Sequence, residues 1–478
     1  MAVSGLFTDF YELTMTQGYF LAGNNPDVVF DMFYRTNPFG GGYTVFCGLG
    51  ELLSRLESFA FSGQDIDYLR SLGQFSDSFL DYLGTYRFRG TVHAMPEGTV
   101  AFPQEPLIRI HGSLIDCQLV EGLVLNTINF QTLIATKSAR ICQAAGQSSV
   151  MEFGLRRAQG PDGADSASRA AYIGGAGLTS NTYAAKKYGI PTGGTMAHSW
   201  IMSFPSELES FREFARIYPN HCILLIDTYD TLGSGIENAI TVGLEQKKKG
   251  LSIGVRIDSG DLSYLPRVIR SRLDEAGLED ATICVSNDLN EEIVQALVSD
   301  GVPIDSWGVG TNMVTGGSQS SLNGVYKLSA KKAGSEFVPA MKISNSFEKT
   351  TNPGIKQVYR FYGNDGLALA DYITLDDEKP EAGQDFVFYH PFSDTDLFRL
   401  KHTSYSAFEP LLKKVMEGGK VCVPERRLSE IRDSVKANLQ RLHRSYRRFI
   451  NPHIYKVSLS ESLKSLKRSL IIRARTGE

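Results

Sequence analysis

The chain has 478 residues, of which 42% are hydrophobic and 21% charged, with a formal net charge of −4. Those values are ordinary for a soluble globular protein, and the length predicts roughly two to four domains. The weak net charge argues against a molecule-wide nucleic-acid footprint. No apolar run approaches the roughly 18 residues that a membrane span needs, and no signal-peptide pattern opens the chain, so the expectation is a soluble, cytoplasmic protein. The six cysteines are scattered singly, without a CxxC or Cys/His ligand spacing, and read as reduced core residues.

Taken in chain order, "TDFYELTMTQGYFLAG" predicts a helix, with Thr8 or Asp9 as cap and Gly23 as stop. "DVVFDMFYR" alternates like a strand, residues 51–90 read as short helices, and residues 91–120 as short strands with turns. A long helical pattern follows from Cys117 to Ala145. From there short apolar runs end in polar or Gly-rich tips, each followed by a helical pattern. The tips are "VMEFGLRR", "AAYIGGAG", "IPTGGT", "CILLIDTYD", "LSIGVRIDSGD", "ATICVSNDL" and "DSWGVGTN". Asp227, Asp258 and Asn287 recur at intervals of 31 and 29 residues, the length of a strand plus a crossover helix. Repeated βα units mean a parallel sheet, and this many in succession predicts a (β/α) barrel with its site at the strand C-termini.

Beyond residue 345, "QVYRFYGNDGLALADYITL" and "DFVFYHPF" predict strands of a small sheet. "PERRLSEIRDSVKANLQRLHRSYRRFINP" predicts one amphipathic helix, with Leu428, Ile431, Val435, Leu439, Leu442, Tyr446 and Ile450 on its apolar face. Residues 425–478 carry 14 Lys and Arg against 5 Asp and Glu, a solvated basic face or an anion-binding surface. The expected organisation is one discontinuous mixed domain built from residues 1–120 and 346–478 beside a central barrel of residues 121–345.

The tips make a chemical inventory. Arg156, Arg157, Arg169 and Arg256 are cationic, and Asp227, Asp230, Asp258, Asp261 and Asp288 acidic. The Gly-rich stretches "GLTSN", "GGT" and "GVGTN" can present backbone N–H groups to phosphates. His198 stands alone in "GGTMAHSW" and could be a metal ligand, a general base, a core residue or a nucleophile. Singly, a Gly-rich loop is also a tight turn, and an aspartate after a strand also caps the next helix. Together, arginine forks, anion-cradling loops and carboxylates on one face suit a phosphorylated substrate carrying Mg²⁺. No zinc-type HxH or HExxH pattern is present.

The motifs "TDFYELTMTQGY", "EFGLRRAQGPDGADSASRAAYIGGAGLTSN", "GIPTGGTMAHSW", "LIDTYDTLGSGI", "GVRIDSGDL" and "GVGTN" resemble, in order, those of the nicotinate phosphoribosyltransferase family. The resemblance implies an irregular (β/α) barrel of the type II phosphoribosyltransferase kind, a discontinuous α/β sandwich domain, and a homodimer with its site at the subunit interface. It implies that nicotinate and 5-phosphoribosyl 1-diphosphate form nicotinate mononucleotide and diphosphate. ATP hydrolysis would drive this through a phosphohistidine, with Mg²⁺ as cofactor.

Carried onto this chain, the resemblance makes His198 the phosphorylated histidine and Asp258 a catalytic residue. Phe153 and Tyr11 would sandwich the pyridine, Tyr11 coming from the second subunit. Thr195 and Arg256 would bind nicotinate, with Arg156 competing for its carboxylate. Gly310, Thr311, Asn287, Asp288, Arg157 and Ser180 would hold the phosphoribosyl diphosphate, and Asp227 the Mg²⁺. The sister enzyme acting on nicotinamide is the alternative, and a catalytically silent binding protein a more distant one.

Overall fold

The computed structural model describes residues 3–344 and 349–476, and the chain divides into two compact units. One comprises residues 1–133 and 321–478, the other residues 134–320. These boundaries differ from the expected ones. The second cut falls before strand Gly324–Ala333, because that strand pairs antiparallel with Val28–Tyr34. The first falls inside helix Glu121–Ala145, since helical periodicity carries no signal of which half packs where.

In the discontinuous unit, a seven-stranded antiparallel sheet runs in the order 336–339, 324–333, 27–34, 108–113, 91–94, 413–417, 420–421. A mixed six-stranded sheet runs 397–400, 386–389, 456–459, 368–375, 356–363, 405–410. Strand Asp27–Tyr34 is buried beyond its first residue, so its alternation does not mark a wet face. Its polar member Asp31 is buried and ion-paired to Lys356 Nζ at 2.7 Å. Helix Phe10–Leu21 begins at Asp9 as predicted, without a side-chain cap bond, and Gly23 adopts φ +61° just beyond it. The helices expected over residues 51–90 are Leu49–Ser58, Gly63–Ser71 and Asp77–Thr85, whose leucines and phenylalanines join one apolar core.

The predicted amphipathic helix of the tail spans only Leu428–Gln440. The chain is drawn off it where the Arg441 carbonyl accepts from Ala368 N–H at 2.8 Å and the Arg441 guanidinium stacks on the Tyr362 ring at 3.6 Å. Tyr446 lies in a short 3₁₀ turn instead, and Ile450 is exposed.

The second unit holds a six-stranded, wholly parallel sheet in the order 178–179, 149–152, 306–309, 282–287, 254–257, 223–225. Among the described residues the two outer strands are not paired to each other. A parallel bridge from Thr179 to Thr192 continues the ladder by one step. The strands are mostly apolar and buried at their centres, as parallel strands covered on both faces are, with Trp307, Val285 and Val255 fully buried. Side-chain caps start the crossover helices: Asn181 accepts from Ala184 N–H, Ser206 from Glu209 N–H and Asn290 from Ile293 N–H. "AAYIGGAG" is not a strand tip. It is the end of helix Gly160–Gly174, whose small residues pack on all sides, and the strand is the following Leu178–Thr179. No helix among the described residues is long and apolar enough to cross a membrane.

Candidate functional site

A cavity of about 490 Å³ opens at the C-terminal ends of the parallel strands. It is lined by Phe153, Arg156, Arg157, Ser180, Thr195, His198, Arg256, Asp258, Asn287, Asp288, Gly310 and Thr311. Arg169, Asp230 and Asp261 of the wider inventory are not in the lining, which holds twelve of the fourteen residues to which the resemblance assigns a role. The other two stand apart. Asp227 lies behind the lining, and Tyr11 belongs to the discontinuous unit, half exposed on helix Phe10–Leu21.

Arg256 is next to last in strand Gly254–Ile257 and is the best-anchored cation of the cavity. Its Nη1 donates to Thr195 Oγ1 and, at 3.1 Å, to the Met196 carbonyl. Its Nε donates to Ser286 Oγ at 3.1 Å, and Ser286 Oγ donates in turn to Asp258 Oδ1. Asp258 Oδ1 lies 3.7 Å from Arg256 Nη2. The guanidinium plane is thus set by three neighbours before any ligand arrives, the preorganisation that recognition of a planar anion exploits. Arg156 and Arg157, in the turn after strand Ser149–Glu152, are exposed at the rim.

His198 opens the short helix His198–Met202. Its Nδ1 meets Thr228 Oγ1 at 3.0 Å, leaving Nε2 as the nitrogen not engaged by that hydroxyl. Asp227, beside Thr228, ties two tips together. Its Oδ2 accepts from Asp258 N–H at 2.9 Å and from Ser259 Oγ at 2.6 Å. Its Oδ1 is buried and has no protein partner. Among the described residues no three His, Cys, Asp or Glu side chains gather into a metal cage.

Phe153 is fixed by its backbone, which donates to the Val309 carbonyl at 2.8 Å, and its ring lies over Gly308. A Cβ at Gly308 would sit 2.7 Å from that ring, so only glycine leaves the aromatic wall where it is. Asn287 ends strand Thr282–Asn287 and accepts from Asp288 N–H at 2.7 Å, holding a tight polar turn. Asn312 donates to the Leu289 carbonyl at 3.0 Å and joins that turn to the Gly310–Thr311 turn.

Ser286, Thr228, Ser259 and the Met196 carbonyl escaped the sequence reading. Each is a short neutral group adjacent to a residue that was named, and only its spacing across strands reveals its role. Ser286 carried one usable signal, a polar residue inside a strand that is otherwise apolar up to Asn287.

The sequence matches the nicotinate phosphoribosyltransferase N-terminal domain over residues 6–129, the nicotinate phosphoribosyltransferase family over 148–366 and its C-terminal domain over 355–467. It is 39% identical to the nicotinate phosphoribosyltransferase of Bacillus subtilis (strain 168), covering 98% of this chain and 95% of that one. With the Homo sapiens nicotinate phosphoribosyltransferase it shares 34% identity over 98% of this chain and 97% of the human one. The crystal structure of human nicotinic acid phosphoribosyltransferase superposes with a TM-score of 0.85 at 32% identity, covering 97% of this chain and 99% of that one. Full-length identity, matched domains and shared fold agree, and the chain belongs to the nicotinate phosphoribosyltransferase family.

Proposed function

We propose that this chain joins nicotinate to 5-phosphoribosyl 1-diphosphate, releasing diphosphate and forming nicotinate mononucleotide, with ATP hydrolysis coupled through His198. The observation that carries the reading is the preset Arg256 guanidinium in a cavity that also holds Phe153, His198 and the rim arginines. A guanidinium fork matches the carboxylate of nicotinate with charge-assisted hydrogen bonds that the neutral amide of nicotinamide does not supply.

In this reading Phe153 forms one wall of the pyridine slot and Tyr11 of a second subunit the other, which makes the enzyme a homodimer. Arg256 and Thr195 hold the carboxylate, with Arg156 at the rim. Arg157, Ser180, Asn287, Asp288, Gly310 and Thr311 hold the phosphoribosyl diphosphate. Asp258 faces the reacting side. The ring nitrogen attacks C1 as the bond to diphosphate breaks. It carries no proton, so no general base is needed. His198 Nε2 attacks the γ-phosphorus of ATP and ADP leaves; the phosphoimidazole then alters the affinity of the site for its substrates.

Mg²⁺ uses one or two carboxylates together with substrate phosphates, so the lack of a three-residue cage among the described residues suits an ion that arrives with the substrate. Asp227, with its unpartnered buried oxygen, is the residue that would hold it. The ion would offset the negative charge of the departing diphosphate.

We also read the six parallel strands as part of an irregular (β/α) barrel and the seven-stranded and mixed six-stranded sheets as a sandwich domain. The strand order, which follows the chain order round the sheet with the two outer strands as unpaired ends, and the bridge from Thr179 to Thr192 support the barrel. The test of function is nicotinate mononucleotide formation with and without ATP and Mg²⁺, with nicotinamide as competitor. Turnover of nicotinamide at concentrations where nicotinate is inert would refute the reading.

A further inference from the structure

Glu152 is fully buried at the C-terminal end of strand Ser149–Glu152. Its Oε1 accepts from the backbone N–H of Gly154, and its Oε2 accepts from Ser168 Oγ at 2.9 Å and from Thr179 Oγ1. All three donors are neutral groups. A buried carboxylate is expensive to desolvate, and packing alone would be served as well by an apolar side chain of similar size. The donors lie in three separate segments. Gly154 begins the turn that carries Arg156 and Arg157, Ser168 lies in helix Gly160–Gly174, and Thr179 precedes Ser180.

The connection goes further on the Thr179 side. Thr179 Oγ1 accepts from Asn181 N–H at 3.0 Å, and the Thr179 carbonyl accepts from Gly193 N–H at 3.2 Å, where the Gly193–Thr195 turn begins. The Glu152 backbone carbonyl accepts from Ser180 N–H at 2.9 Å, so main chain and side chain of one residue hold the same turn.

We propose that Glu152 is a positioning residue whose buried carboxylate sets the spacing between the turn bearing Phe153, Arg156 and Arg157 and the turn bearing Ser180. Where its donors are lost, the two walls of the cavity separate and the phosphate-facing groups no longer converge. This rests on the functional reading above, because the consequence is expressed in the binding of 5-phosphoribosyl 1-diphosphate.

The experiment uses the full-length chain and compares Glu152→Gln, Thr179→Val and Thr179→Ser with wild type. Steady-state kinetics, calorimetric binding of 5-phosphoribosyl 1-diphosphate and thermal melting are read together. Misplacement of binding groups by about 1 Å lowers efficiency by up to about a hundredfold, so KM for this substrate should rise by about tenfold or more in Glu152→Gln and Thr179→Val. Thr179→Ser, which keeps the hydroxyl, should stay near wild type. Lower melting temperatures with KM and binding unchanged in Glu152→Gln and Thr179→Val would reduce Glu152 to a packing residue and overturn the proposal. If Glu152→Gln does not fold, the Val and Ser variants of Thr179 decide alone: equal KM values overturn it. A wild-type chain that binds 5-phosphoribosyl 1-diphosphate but forms no nicotinate mononucleotide refutes the functional reading only, and the variants are then ranked by calorimetry. One that does not bind it overturns both.

Discussion

Ser286→Ala isolates the preorganisation of Arg256. The serine hydroxyl accepts from Arg256 Nε at 3.1 Å and donates to Asp258 Oδ1, so its removal breaks two bonds to charged partners at once. A hydrogen bond to a charged group contributes about 1.5–3 kcal/mol. The cavity is open, and water replaces one of the two partners, so the expected net loss is that of a single such bond. At about 1.4 kcal/mol per decade, kcat/KM for nicotinate should fall by about tenfold to a hundredfold. In the proposed function the guanidinium holds nicotinate in ground and transition states alike, so most of the loss should appear in KM. The assay is steady-state formation of nicotinate mononucleotide at saturating 5-phosphoribosyl 1-diphosphate, with melting temperature as the folding control. A kcat/KM within about threefold of wild type, in a normally folded variant, would mean that Thr195 and Met196 alone orient Arg256, and the reasoning would fail.

His198→Ala should abolish acid-labile label from [γ-³²P]ATP. Thr228→Val should slow its incorporation about fivefold, the worth of one neutral hydrogen bond near 1 kcal/mol, while Thr228→Ser keeps the wild-type rate. Asp227→Asn should raise the Mg²⁺ concentration for half-maximal activity; an unchanged Mg²⁺ titration would remove Asp227 from the metal's neighbourhood. Burial first, then the negative charges of Glu121 and Asp9, push the Glu12 carboxyl from its ordinary 4.5 up to about 7. Folding therefore favours protonated Glu12, and that stabilisation is complete below pH 4.5 and lost as pH rises through about 7. Glu12→Gln should flatten the fall in melting temperature between about pH 5 and about pH 8, a term of at most about 3 kcal/mol. An unaltered pH profile would count against it.

The parallel sheet and most of the cavity were legible because their signals are local. Strands buried on both faces read as apolar runs, and most of the polar residues that line the cavity lie at or just beyond the C-terminal ends of those runs. The illegible parts depend on partners distant in sequence. Nothing near Gly324 announces that its strand pairs with Tyr34, so the unit boundary is displaced. The run at Ala170–Gly177 shows the limit of periodicity, since a helix packed on every side has no polar face and looks like a buried strand. Glu152, Ser286 and Thr228 were invisible for a related reason. Each is defined by what it bonds across 16 to 30 residues, and none belongs to a type that attracts notice at its position.

Gly308 sets a limit of another kind. The Phe153 ring rests on bare main chain, so the width of the slot beside it is encoded by the absence of a methyl group. Enlarging that residue would push the ring into the space proposed for the ligand and would also crowd Ser286, whose Cβ lies 3.1 Å from the added carbon. A library that scans this cavity for altered substrate size should therefore find its strongest effects at a position with no functional group at all. Shape selectivity at this position is then coupled, through Ser286, to the setting of Arg256, to which the proposed function assigns charge selectivity.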